Sequence, residues 1–356
     1  MIGELLAGVL IGPAVLGLVG PTDFLNGLAD VGIVILLFEI GLRSDLDELL
    51  RSGVQSLLVA LVGVVAPFLL GFALGRSWGL PVIVSIFLGA ALTATSVGLA
   101  ARILGDLGRL DDPSARVIVG AAVIDDVLGL LVLSIVGGLI RSHAVSLVGI
   151  AVLLLKAVAF LVIAIVVGVR LAPLFLRWVE RMQVRGSLLV YAVLFCSVLA
   201  VLAELGGLAP LVGAFAAGLV LAKTERGSHI EERLRPVADL FVPIFFVTTG
   251  MRVRLGQLHA GGLTGPLVFA GLLTAVAVVS KLATGLAVYQ RDVSRWRVGA
   301  GLIPRGEVGL IFAAIGLRAA VIDADLYGAV ILMIMLTTVI GPIWLRRLYV
   351  VPGEGT

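Results

Sequence analysis

Charged side chains are scarce in this sequence. They make up 14% of its 356 residues, against 60% hydrophobic. A water-soluble domain carries roughly 25% charge, so this composition excludes one. Cysteine is scarcer still: Cys196 stands alone in an apolar run, which excludes an internal disulfide. Histidine occurs three times, as His143, His229 and His259, each in a predicted loop. A histidine base inside an apolar run is therefore missing, and with it the usual activator of a serine nucleophile such as Ser96. An intramembrane hydrolase is disfavoured on that ground, and the chain reads as a non-enzyme. No G-x-G-x-x-G follows a strand, so no dinucleotide-binding domain is expected. A basic leader ahead of the first apolar run is also lacking, so no cleavable signal peptide is read.

What the sequence has in abundance is long apolar runs, with a mean hydropathy of +1.18. Runs of about 20 residues match the hydrocarbon thickness as helices, and they are too continuous for barrel strands, which alternate over about 10 residues. The predicted fold class is an all-α polytopic membrane protein. Twelve segments are expected, at about 3–20, 28–42, 55–75, 81–104, 117–140, 146–169, 187–205, 207–222, 237–251, 263–290, 298–317 and 326–345. The net charge of +3 does not signal a nucleic-acid partner, because the basic residues are spread over many short loops. Eighteen of the 26 Lys and Arg residues fall at the ends of even-numbered segments or in the loops after them, five follow odd-numbered segments, and Lys156, Lys281 and Arg305 lie inside spans. The even side is thereby predicted to be cytoplasmic.

Ionisable groups within hydrocarbon cost roughly 2.5–3.5 kcal/mol each on insertion scales and mark function by default. Asp125 and Asp126 sit mid-segment in Ala121-Ala122-Val123-Ile124-Asp125-Asp126-Val127-Leu128-Gly129. Neighbouring helix positions point about 100° apart, so one acid can meet a partner helix while the other meets a cavity. Lys281, in Val278-Val279-Ser280-Lys281-Leu282, is the candidate partner. A lysine–carboxylate pair disturbed by an arriving cation gives a direct route to cation/proton competition. Lys156, by contrast, is an isolated lysine with two readings, a snorkelling side chain or one facing the bundle interior. Glu39, in Leu36-Leu37-Phe38-Glu39-Ile40-Gly41, has two readings: a group on the ion path, or a partner of Arg43 four residues on. Glu204 reads as a solvated helix end.

Two segments carry helix breakers. Thr93-Ala94-Thr95-Ser96 interrupts segment 4, and Pro304-Arg305-Gly306-Glu307 interrupts segment 11. Short similar stretches flank both: Gly89-Ala90-Ala91-Leu92 with Val97-Gly98-Leu99, and Gly299-Ala300-Gly301-Leu302 with Val308-Gly309-Leu310. The copies lie seven segments apart and so cross in opposite senses, the mark of an inverted-topology repeat with a mid-membrane site at two broken helices. Arg305 and Glu307 have two readings, as ligands or as opposite charges that satisfy one another and the helix ends, and the structural one is preferred.

Taken in order, Ile2-Gly3-Glu4-Leu5-Leu6-Ala7-Gly8-Val9-Leu10-Ile11-Gly12-Pro13, Ala94-Thr95-Ser96-Val97-Gly98, the Asp125-Asp126 segment, Pro243-Ile244-Phe245-Phe246 and Pro304-Arg305-Gly306-Glu307-Val308-Gly309-Leu310 give the chain its resemblance. It resembles the monovalent cation:proton antiporter-2 family, in particular bacterial sodium/proton antiporters of the NapA type. The family usually has a further helix ahead of the Ile-Gly-Glu motif, thirteen in all. The resemblance implies exchange of cytoplasmic sodium or lithium for external protons, electrogenic because the pair is Asp-Asp, in the bacterial inner membrane, with no cofactor beyond the transported Na+ and H+. A potassium/proton antiporter is the alternative. It implies Asp126 as the main sodium ligand, Asp125 paired with Lys281, and Thr95 and Ser96 completing the cation site at the crossover beside Pro304, Arg305 and Glu307. It also implies an elevator-like homodimer. In that plan 1–45 and 186–257 form the scaffold and dimerisation domain, 55–140 and 263–348 the core transport domain, and 146–185 the linker helix and cytoplasmic loop.

Overall fold

The computed structural model describes residues 2–44, 53–110, 112–142, 147–180, 186–253 and 265–349, and these are helical without strands. The helices are α1 (Ile2–Ile11), α2 (Asp23–Arg43), α3 (Gly53–Ser77), α4 (Val82–Ala91), α5 (Val97–Asp106), α6 (Pro113–Ser142), α7 (Leu147–Glu180), α8 (Ser187–Leu205), α9 (Pro210–Ala222), α10 (Gly227–Met251), α11 (Pro266–Leu282), α12 (Arg295–Gly301), α13 (Glu307–Arg318) and α14 (Ala324–Tyr349), with a 3-10 turn at Ala283–Ala287 after α11. Eight are long and apolar enough to cross a bilayer. The expected segments 4 and 11 are each two helices separated by an extended break, α4/α5 and α12/α13. The first expected segment, 3–20, is corrected: its helix stops at Ile11, ahead of Pro13, which lacks an amide proton for the ladder. The ninth, expected from 237, starts ten residues earlier, which puts His229 in the first turn of α10 rather than in a loop. His143 and His259 lie outside the described residues.

The chain forms two compact units. One comprises Met1–Asp47 and Leu130–Met251, the other Glu48–Gly129 and Arg252–Thr356. The first unit is held by close backbone approach. At the α2–α9 crossing, a Cβ on Gly41 would strike the Phe215 carbonyl, and one on Gly218 would strike the Phe38 carbonyl. Glycine is the residue that lets two membrane helices approach this far, and dispersion contacts then replace the hydrophobic drive that lipid cannot supply. Arg43 closes the same region: it donates from Nη2 to Glu39 at 2.6 Å and from Nε to Glu231 on α10 at 3.0 Å.

The second unit holds α3–α5, the N-terminal part of α6 and α11–α14. A polar knot fixes where α6 begins. Asp112 accepts from the Ser114 amide at 2.8 Å and the Tyr349 hydroxyl at 3.1 Å through Oδ1, and from Arg297 Nη1 at 3.1 Å through Oδ2. The Arg297 guanidinium lies 4.2 Å over the Tyr349 ring, and Ser294 N–H donates to Ser114 Oγ at 3.0 Å. One carboxylate thus joins the start of α6, the start of α12 and the end of α14. Partial burial acts to raise the Asp112 pKa, but the Ser114 and Tyr349 hydrogen bonds and the Arg297 charge outweigh it and hold it below the ordinary 3.8.

Two outcomes follow for stability. Gly218→Val forces the α2–α9 backbones apart and lowers stability by about 1–3 kcal/mol, read as a fall in melting temperature in detergent. Asp112→Asn lowers the melting temperature at neutral pH. Because the folded pKa is depressed, the wild-type advantage is present above about pH 3.8 and disappears as pH falls through the folded value. A gap that persists unchanged into acid would exclude the carboxylate as its cause.

Candidate functional site

Asp125 and Asp126 lie midway along the 30-residue α6. Asp125 turns into the second unit and is 2% exposed. Its Oδ2 accepts from Lys281 Nζ at 2.7 Å and from the Thr95 hydroxyl, while its buried Oδ1 has no hydrogen-bond partner among the described residues. Lys281, in the last turn of α11, is fully buried. Its ammonium also donates to the Gly63 carbonyl of α3 at 2.7 Å. A Cβ on Gly63 would stand 3.3 Å from Nζ, so the glycine supplies both acceptor and space.

The two broken helices meet beside this pair. Between α4 and α5, and again between α12 and α13, the backbone is unwound, and Ser96 N–H donates to the Pro304 carbonyl at 2.9 Å. A Cβ on Gly306 would collide with Ser96. Arg305, fully buried, reaches across: Nη1 donates to the Ala94 carbonyl at 2.7 Å and Nη2 to the Ala277 carbonyl at 3.3 Å. Thr338 Oγ1 donates to the Arg305 carbonyl at 2.6 Å. The expected mutual neutralisation of Arg305 and Glu307 is therefore corrected, since the guanidinium is used on carbonyls. For Ala94 the reason is the break itself: unwinding frees a backbone acceptor inside the unit, and lipid supplies no water to satisfy it.

Asp126 points elsewhere and is half-buried. The charged groups whose fields reach it are Glu307, Asp125 and Lys281. Lys281 in turn feels Asp125, Arg305 and Asp126. When ionised, these five groups are three carboxylates against two cations. A buried cluster one positive charge short is stabilised by a bound monovalent cation or by a proton.

The structure thus brings Asp125, Lys281 and Thr95 into direct contact, sets Ser96 against Pro304 and Gly306, and places Glu307 within electrostatic reach of Asp126. Glu39 lies in the first unit, paired with Arg43. Sequence reasoning missed Gly63 and the Ala94 and Ala277 carbonyls. A glycine or alanine in an apolar run carries no mark of what its carbonyl will meet.

The geometry can be set against known proteins. The family described as sodium/hydrogen exchanger, transmembrane, matches residues 1–351. The chain belongs to that family. This membership accords with the resemblance carried by the Asp125-Asp126 and Pro304-Arg305-Gly306-Glu307 motifs. The exchanger chain is 40% identical over 332 residues to the high-affinity Na+/H+ antiporter NhaS3 of Synechocystis, covering 92% of this chain and 72% of that one. It is 35% identical over 351 residues to the Na+/H+-K+ antiporter GerN of Bacillus cereus, covering 97% and 89%. In fold it is similar to the sodium proton antiporter MjNhaP1 of Methanocaldococcus jannaschii, with a TM-score of 0.73 at 18% identity over 97% of this chain and 90% of that one. These relatives are transporters, and the chain is a multi-pass membrane protein.

Arg305→Met removes the donors to the Ala94 carbonyl in the first break and to the Ala277 carbonyl of α11. Charge-assisted hydrogen bonds contribute about 1.5–3 kcal/mol each, so the loss is expected at about 3 kcal/mol or more, read as a large fall in melting temperature. A melting temperature equal to wild type would show that the carbonyls are satisfied some other way.

Proposed function

We propose that this chain is a secondary antiporter that exchanges cytoplasmic sodium or lithium for external protons, with Asp126 as the main cation ligand. The observation that carries this reading is the grouping of three carboxyl groups, Asp125, Asp126 and Glu307, around two basic groups, Lys281 and Arg305, which leaves one carboxyl in excess. Either a monovalent cation or a proton restores neutrality, and binding of one opposes binding of the other. Lys281 takes part through Asp125. A cation beside Asp126 lowers the negative potential that holds the ammonium charged, and the lysine gives up a proton in exchange. Thr95 orients Asp125 through its hydroxyl, while Ser96, Pro304 and Glu307 line the crossing where exposed carbonyls and half-helix ends favour a hard cation.

The second unit is the moving core and the first unit the scaffold in an elevator-like cycle, with the two broken helices related as inverted repeats. Support comes from the two compact units and from the paired Gly-Ala and Val-Gly-Leu stretches around the breaks. Proton uptake exceeds sodium release, so the exchange is electrogenic. Each net inward charge then draws about 2.3 kcal/mol from a 100 mV inside-negative potential. The chain acts as a homodimer in the bacterial inner membrane. A potassium/proton exchange is the second reading, favoured by the dual Na+/H+-K+ description of GerN.

The test is the purified protein in liposomes with an imposed pH gradient and a lumenal pH dye. Sodium or lithium is expected to dissipate the gradient, and Asp126→Asn to abolish that response. A response to potassium alone would support the second reading, and full activity in Asp126→Asn would remove Asp126 from the site.

A further inference from the structure

The end of α14, on the side that the spread of basic residues marks as cytoplasmic, carries more charge than the protein around it uses. Arg297, at the start of α12, is engaged: it pairs with Asp112, its Nε donates to the Leu348 carbonyl at 3.3 Å and its guanidinium lies over the Tyr349 ring. These contacts set the start of α12 against the end of α14. Arg347, one residue before Leu348, is different. It is exposed, and its guanidinium has no hydrogen-bond or ion-pair partner among the described residues.

Arg347 closes one end of an apolar hollow. The hollow, of about 320 Å3, runs along α14 and is lined, among the described residues, by Ile340, Ile343, Trp344, Arg347 and Leu348. Their spacing puts them on one side of the helix. Trp344 and Leu348 also pack against the buried cluster that includes Val298, Ile303 and Leu345, which fixes the floor. Ile343 on the outer side is 51% exposed. From Ile340 to Arg347 the hollow covers roughly 10 Å of helix. Half of the hydrocarbon core is about 15 Å deep, so the hollow fits within one leaflet. Its arginine then stands at headgroup level, and Trp344 is the ring type that favours that level.

The surroundings fix the sign of what binds. Arg346 and, at the start of α12, Arg295 and Trp296 are exposed as well, and no carboxylate stands among the described lining residues. An apolar trough that ends in an unpaired guanidinium is complementary to a fatty chain that ends in a phosphate. A protein partner is a poorer match, because five lining residues fall well short of the roughly 20–30 a side of a stable protein interface. We propose that the hollow seats one anionic phospholipid of the cytoplasmic leaflet, with an acyl chain along Ile340, Ile343, Trp344 and Leu348 and the phosphate on Arg347. The planar guanidinium presents N–H donors in a fork that matches phosphate oxygens. The seat lies wholly in the second unit and does not depend on the antiport reading.

The test uses the full chain carrying Trp78→Phe, Trp178→Phe and Trp296→Phe, which leaves Trp344 as its one tryptophan. It is reconstituted in phosphatidylcholine vesicles in which a minor fraction of the lipid has brominated chains, either as phosphatidylglycerol or as phosphatidylcholine. Bromine quenches tryptophan on contact, so the two curves report which headgroup brings its chain to the hollow. Phosphatidylglycerol is expected to quench about fivefold more effectively per lipid, the weight of one basic side chain beside anionic lipid. Arg347→Gln is expected to remove that preference and Arg347→Lys to keep most of it. Arg346→Gln, beside the hollow but not among its lining residues, is expected to leave it in place. Equal quenching by the two lipids would overturn the seat. An equal loss in Arg346→Gln and Arg347→Gln would also overturn it, by showing a diffuse surface charge instead. Quenching by neither lipid would do the same, since protein, such as a second copy, then covers the face. Should the tryptophan variant fail to fold, the unaltered chain gives a second reading. Native mass spectrometry in detergent is expected to find one retained phosphatidylglycerol per wild-type chain and none on Arg347→Gln, and equal retention on both would overturn the seat.

Discussion

An ammonium group inside a membrane protein must find acceptors for its protons among protein atoms, and that requirement organises the second unit. Lys281 finds them at Asp125 and at the Gly63 carbonyl. Each acceptor constrains something further. Gly63 must lack a side chain, α3 must lie against α11, and Asp125 must point inward, which turns Asp126 to a different direction on the same helix. Breaking such a pair from one side leaves an uncompensated charge, at a cost of about 3–5 kcal/mol. The neighbours are thus held by the expense of the alternatives as much as by the strength of the contact.

The crossed breaks extend the same logic to the backbone. Unwinding 92–96 and 302–306 frees backbone carbonyls inside the unit, and the fully buried Arg305 guanidinium takes one of them, Ala94, together with the Ala277 carbonyl of α11. Ala277, one of its acceptors, sits one helical turn before Lys281 on α11. Arg305 therefore joins the first break, the second break and the lysine helix into one body, with the polar knot around Asp112 fixing the near end of α6. The first unit is assembled differently. Its described helices pack through glycines such as Gly41 and Gly218, and the Glu39–Arg43–Glu231 cluster includes partners open to water. Among the described residues, the second unit holds the fully buried Lys281 and Arg305, whereas the Arg43 cluster of the first unit reaches water.

The helices themselves were largely legible from apolar runs, because lipid makes backbone self-satisfaction obligatory. Their ends were less so. α1 stops at Ile11 although apolar residues continue beyond it, and α10 begins among charged residues that hydropathy assigns to a loop. The candidate site was visible wherever a residue was expensive: Asp125, Asp126 and Lys281 stand out in apolar runs, and Pro304 and Gly306 announce a break. Residues that cost nothing where they stand were invisible. Gly63, Ala94 and Ala277 act through carbonyls that every residue has.

What the sequence by itself determined is a helical membrane protein with charges at the middle of its spans and breaks in two of them, because composition and local chemistry suffice for those. Only the tertiary structure decided which charge meets which. Thr95 goes to Asp125, Arg305 to Ala94 and Ala277 rather than to Glu307, and Gln55 to the turn after Lys281. Such pairings join residues up to 235 positions apart. They are chosen by which helix faces pack together, and a one-dimensional pattern holds no record of that choice.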